Sequence, residues 1–212
     1  MSKLVFFFGL LVLSGCATHA NIVMPVVSQV HDSRYENKSL SYEIYYSQPK
    51  PGIFSNGEAL PLAPLSQAEL SVASSRVLKT FPTIIFKQLP STVKRVDSGS
   101  GDFKLRIELV ARHKKGPVYA DYESAKNLAK SLVTLGLGSD EYNIVADFNA
   151  TYTLSKSGIE VFSKEFYINE KVDHERAGFE SYGSLTEYAG QLLEKHLILS
   201  MNDFFTDALG SL

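Results

Sequence analysis

The chain has 212 residues, of which 44% are hydrophobic and 21% charged, with a formal charge of −2. That composition suits one soluble globule with a substantial core, and the near-neutral balance argues against a nucleic-acid partner or a polybasic membrane patch. The single cysteine, Cys16, excludes disulfides and thiolate metal sites from the folded part.

The chain opens MSKLVFFFGL and continues LVLSGCATHA. Lys3 precedes an apolar run from Leu4 to Leu13, which ends in Ser14 and Gly15. A cationic start, a short apolar stretch and small residues at the cut are the parts of a secretory signal peptide. The run is roughly half the ~20 residues that a membrane-spanning helix needs. Leu13-Ser14-Gly15-Cys16 resembles the bacterial lipobox. The resemblance implies cleavage before Cys16, diacylglycerol on its sulfur and an acyl chain such as palmitate on the new amino terminus. Each buried methylene contributes about 0.8 kcal/mol, and stable anchoring takes two chains or more. Ala17, where an inner-membrane lipoprotein would carry Asp, implies the periplasmic face of the outer membrane. The expected anatomy is a cleaved signal at 1–15, a lipidated N-terminus and tether at 16–38, and one α+β periplasmic domain at 39–212.

Within the tether, Ile22 to Val27 is apolar, and Pro25 favours an edge segment. Leu40, Tyr42, Ile44 and Tyr46 then alternate on one face of a half-buried strand. Pro49, Pro51, Gly52, Gly57, Pro61 and Pro64 make a long loop. Ser66 to Glu69 has capping-box spacing ahead of a helix through Leu70, Val77, Leu78, Phe81, Ile84 and Ile85, which Pro82 should kink or split and Pro90 should end. Ser98 to Asp102 reads as a turn, and Phe103, Leu105, Ile107 and Leu109 alternate with Lys104, Arg106 and Glu108 in a one-sided strand. A short helix follows in 122–138, whose apolar Leu128, Leu132, Val133 and Leu135 are expected to pack in the core, or else to form a contact surface. Tyr142 to Leu154 alternates without a break, turns at Ser155 to Gly158, and returns with a change of phase that predicts a bulge near Phe162. A polar loop at 171–183 leads to a second capping-box spacing at Ser184 to Glu187 and a last helix, whose stripe runs from Leu185 to Ala208. Helices packed on one face of a largely antiparallel sheet is the natural α+β assembly of these elements.

From Tyr142 to Leu209 the pattern resembles the C-terminal half of YajG-type outer-membrane lipoproteins: YNI opens a strand, Asp147 follows, SKSG turns, and an amphipathic helix closes the chain. The lipobox and the preceding helix–strand order agree. More distantly, the order is similar to that of PqiC-type ABC-transport auxiliary lipoproteins. The proline-rich loop 48–64 and the apolar stretch 122–138 depart from the pattern. The resemblance implies an envelope lipoprotein and transfers no catalytic residue.

Catalytic patterns are absent from the sequence: no G-x-S-x-G, H-E-x-x-H, Walker or dinucleotide-binding motif occurs. Asp97 and Asp102 lack the spacing of a calcium loop. His196 falls among leucines on the last helix. His174, between Asp173, Glu175 and Arg176, reads as part of a solvated loop sooner than as a metal or acid–base cluster. The expectation is therefore a protein that is not an enzyme, with no cofactor and no metal. It is held on the outer membrane by acyl chains on Cys16 and acts as a binding or scaffold module for an envelope partner. Its contact surface would be the sheet face or the apolar stretch with Leu132, Val133, Leu135 and Leu137. The alternatives are a lipid- or amphiphile-handling accessory of a transport system, which needs an apolar pocket between helices and sheet, and a metal-assisted hydrolase using His174 and nearby carboxylates such as Asp173 and Glu175.

Overall fold

The computed structural model describes residues 19–52, 57–134, 138–177 and 180–211. Cys16, Leu135 and Leu137 lie outside the described residues. The strands are β1 (Ser39–Ser47), β2 (Ala63–Pro64), β3 (Lys94–Arg95), β4 (Phe103–Ala111), β5 (Val118–Tyr122), β6 (Asp140–Lys156) and β7 (Ile159–Arg176), with helices α1 (Val72–Lys87), α2 (Ser124–Thr134) and α3 (Gly183–Ala208).

β6 is the spine of the sheet. β7 pairs along one of its edges, from Asp140 to Lys156, while β5 and β4 share the other, at Tyr142–Ala146 and Phe148–Lys156. β1 lies outside β4 and runs parallel to it. Parallel neighbours need a crossover, and α1 supplies it between β1 and β4. Leu40, Phe103, Leu105, Ile107, Leu109, Phe148, Ala150, Tyr152 and Leu154 are buried on one side of the sheet. Against them pack Val77, Phe81 and Ile85 of α1 and Leu192, Leu193, Leu197, Met201, Phe204 and Phe205 of α3. The α+β architecture with helices on one face follows directly from these two apolar surfaces.

Several local expectations change. α1 starts later than the Ser66–Glu69 spacing suggests. Residues 65–67 form a 3-10 turn, and Ser71 is the cap, its Oγ accepting the Ser74 N–H at 3.2 Å. α1 runs unbroken through Pro82; one lost backbone bond is outweighed by the burial of Phe81, Ile84 and Ile85 around it. α3 has no capping box: it begins at Gly183, and the Ser184 hydroxyl donates to the Ser181 carbonyl. β5 is too short to show in the sequence pattern. The residues given to a polar loop from 171 onward continue β7 as far as Arg176.

The hairpin reads as expected. Ser157 (φ 52°) and Gly158 (φ 81°) make a two-residue turn with both centres left-handed. The register then shifts, with Ser155 facing Glu160 and Leu154 facing Phe162, so Val161 is the bulged residue. Gly158→Ala places a Cβ in a left-handed turn, and a loss of about 1–2 kcal/mol is expected in urea unfolding; an unchanged midpoint would exclude this turn.

The largest correction concerns the tether. Residues 19–38 lie along the domain, with Ala20, Val30 and Tyr35 buried. Backbone donors of this segment are taken up by the fold: Ala20 N–H by His174 Nδ1 (3.2 Å), Ser28 N–H by Asn202 Oδ1 (3.0 Å) and Val30 N–H by the Gln88 carbonyl (2.7 Å). Asn202 also donates to the Val26 carbonyl and accepts from Gln88 Nε2. Apolar burial at three points and these satisfied bonds outweigh the entropy that would favour a free linker.

Candidate functional site

Three groups of residues meet where β6 begins, β7 ends and α3 starts. The first is around His174, which the strand places in the core rather than in solvent; its side chain is fully buried. Side chains alternate along a strand, so Asp173 points to the opposite, exposed side, and the His174–Asp173 pair of the hydrolase reading does not form. The neighbours of the imidazole are Tyr188 (ring centroids 4.7 Å), His19 (5.6 Å) and Glu180, whose Oε1 lies 3.8 Å from Nε2. Glu180 Oε2 is 3.8 Å from His19 Nδ1.

His19, His174 and Glu180 could in principle ligate a metal, since one donor atom from each falls within 4.8 Å of the others. The hydrogen bonding fits this poorly. His174 Nδ1 accepts from the Ala20 N–H, so the proton of the neutral ring sits on Nε2, the atom that would face an ion. A metal-bound imidazole instead donates through its other nitrogen. Burial lowers the His174 pKa, with Glu180 opposing in part, so the ring is held neutral as an acceptor for the start of the folded chain.

The second group centres on Arg176. Its guanidinium reaches Asp140 Oδ2 (2.6 Å) and the Glu180 carbonyl (2.8 Å), and stacks 4.1 Å from the Tyr182 ring. It thereby joins the first residue of β6, the 177–182 connection and the entry to α3.

The third is α2, which is inside-out. Its sheet-facing residue is Asn127, which is 6% exposed and exchanges two bonds with the backbone of Glu141 (2.8 and 2.6 Å). Lys130 Nζ reaches Glu175 Oε1 (3.1 Å), Glu141 Oε1 (3.3 Å) and Ser139 Oγ (2.9 Å). Leu128, Leu132 and Val133 point outward, at 65%, 72% and 84% exposure. The expectation that this helix packs in the core is thus corrected: Leu132 and Val133 are on the surface.

Among the described residues, the sheet face away from the helices is largely polar. Arg112 lies 3.7 Å from the Tyr167 ring, pairs with Asp147 Oδ1 (2.6 Å) and contacts Asn149; Arg106 stacks 4.4 Å from Tyr45 and binds Glu108 (2.6 Å). Between helices and sheet, Ile107, Leu109, Phe148, Ala150, Tyr152 and Phe204 are each 0% exposed, so that space is filled by side chains. A groove of about 470 Å³ beside Tyr42, Ile44, Leu78 and Pro82 lies at the margin between α1 and β1, open to solvent. His19 and Glu180 went unnoticed in the sequence because they stand far from His174 in the chain or beyond a turn, with no local motif.

No family model matches the chain, and no curated protein matches it. Among solved structures it is similar to a DUF330 protein from Xanthomonas campestris, at 12% identity over 91% of this chain and 99% of that one, with a TM-score of 0.34. It is similar to a putative neuraminyllactose-binding hemagglutinin homolog from Helicobacter pylori at 9% identity, over 91% and 95% of the two chains, with a TM-score of 0.44. The rare lipoprotein B from Shewanella oneidensis is similar at 13% identity, over 81% and 94%, with a TM-score of 0.35. None of the three lends a residue role to this chain.

Proposed function

We propose that the protein is an outer-membrane lipoprotein, acylated at Cys16, whose domain is a non-catalytic binding module for an envelope protein. The observation that carries this reading is the packing of Ala20, Val30 and Tyr35 against the domain. Ala20, four residues after the lipobox cysteine, is buried and bonded to His174, so at most about 14 Å of chain separates anchor and domain. The short link holds the domain close to the membrane. The resemblance of the hairpin and last helix to YajG-type lipoproteins supports the same membrane face.

The surface offered to the partner is the polar sheet face. Its arginines are already held flat against Tyr45 and Tyr167, so little side-chain freedom is lost on docking. The outer edge of β7 is a poorer choice, because Glu160, Lys164, Glu165, Lys171 and Glu175 lie along it, and charges on an edge strand oppose pairing with another strand.

Cys16→Ser is expected to abolish labelling by palmitate and to release the protein from sedimented membranes. A photo-crosslinking side chain at Tyr167 is expected to trap one discrete envelope protein, and the same group at Thr80 on α1 none. Unchanged membrane attachment of the serine form, or no adduct at any sheet-face position, would overturn the reading.

A further inference from the structure

α2 presents the wrong side to water. A surface helix turns its apolar stripe to the core and its polar residues out. Here Asn127 and Lys130 face the sheet, while Leu128, Leu132 and Val133 face out, with Ala125 and Ala129 exposed between them. The polar anchoring is specific: both polar groups of the Asn127 amide are used, and Lys130 is held among Ser139, Glu141 and Glu175. These bonds fix the helix in an orientation that its own apolar residues would not choose in water. An apolar face held outward by buried polar contacts marks a contact surface.

Its position identifies the occupant. Lys130 holds Glu175 at 3.1 Å, and the next residue back along β7, His174, accepts the Ala20 N–H at 3.2 Å. α2 and Ala20 are therefore fastened at the same end of β7, through neighbouring residues whose side chains leave the strand on opposite sides. The rim of the patch suits a lipid boundary. Tyr122 precedes α2 and is 49% exposed, Tyr182 is 63% exposed over Arg176, and the Lys126 ammonium is at the surface. Tyrosine and lysine side chains with an apolar body and a polar tip collect at the level of lipid headgroups. No described helix is long and apolar enough to cross a membrane.

We propose that the outward face of α2, formed by Leu128, Leu132 and Val133, rests in the lipid surface to which Cys16 is fastened and sets the orientation of the domain on it. This rests on the anchoring at Cys16 proposed above. A short amphipathic helix binds such a surface weakly alone, and the covalent anchor raises its effective concentration there.

The chain lends itself to a direct test, because acylation of Cys16 leaves no other thiol. Leu132→Cys and, as a control at the far end of β6, Lys156→Cys are each labelled with an environment-sensitive fluorophore on the full-length lipidated protein. The proteins are reconstituted singly in phosphatidylethanolamine–phosphatidylglycerol vesicles. Nitroxide-bearing lipid is expected to quench the label at 132 several-fold more than at 156, and aqueous iodide the reverse. Adding Leu128→Glu is expected to restore iodide access at 132 without changing palmitate incorporation. Equal iodide quenching at both positions overturns the proposal and leaves the anchoring intact. Shielding of 132 from both quenchers overturns it in favour of a second copy of the chain covering α2. Absence of palmitate on the wild-type protein removes the anchoring reading and this proposal together.

Discussion

Replacing Phe204 with alanine is expected to cost about 3–5 kcal/mol, the range for a large buried aromatic removed without collapse of its site. Phe204 is fully buried on α3 and touches three rings from three elements: Tyr152 of β6 (5.5 Å), Phe162 of β7 (5.3 Å) and Phe205 beside it (5.6 Å). Phe162 also borders the bulge at Val161. The cavity cannot close by a shift of one neighbour, since Tyr152 is pinned by its hydroxyl to Ser200 Oγ at 2.7 Å. With total stabilities of small domains near 5–15 kcal/mol, the variant should unfold at much lower urea concentration. Phe204→Leu should recover most of the loss. A midpoint unchanged by Phe204→Ala would mean that α3 does not cross the sheet where the structure places it.

Acidification is expected to destabilise the fold through its buried imidazoles. Burial lowers the pKa of both His174 and His196. Glu180 opposes the shift at His174, where His19 and Arg176 act in the same sense as burial. Glu170 opposes it at His196, with Oε2 2.7 Å from Nε2, while Lys195 adds to it. A depressed folded pKa means that the unfolded chain binds more protons in the window below the ordinary value near 6.5. Stability is therefore full above that value and is lost as pH falls from it through the folded values. Protonation of His174 also turns Nδ1 from acceptor to donor and expels the Ala20 N–H. The urea midpoint should fall between neutral pH and about pH 5, and His174→Gln, which keeps an acceptor and removes the titration, should flatten that fall. A slope that His174→Gln leaves unchanged would show that this ring does not titrate in the window.

The period-2 stretches were readable because one face of each is buried and the other wet. Phe103 to Leu109 and Ala146 to Leu154 alternate cleanly, whereas Asn143 to Ala146 are buried on both sides, and the phase change at Phe162 marked a true bulge. Turn chemistry was readable too, since few residues tolerate the angles at Ser157 and Gly158. Contacts made across the fold were not readable. Asp173, His174 and Glu175 look like a polar loop, yet Arg176 and Lys130 neutralise carboxylates there and let the strand continue. His19, Asn127 and Asn202 act through single long-range bonds that leave no period in the sequence. The apolar stretch in α2 was visible as composition, but which way it faces depends on Asn127 finding the backbone of Glu141.

Asn202 joins chain ends 176 positions apart at Val26, and His174 grips a residue 154 positions before it. A polypeptide delivered amino end first cannot complete these bonds until its final helix has emerged. The stretch around Val26 must wait, unpaired, until Asn202 has been made. Maturation then ends with a zipping of the two extremities, and a product cut short before residue 202 would remain unsealed and open to proteolysis.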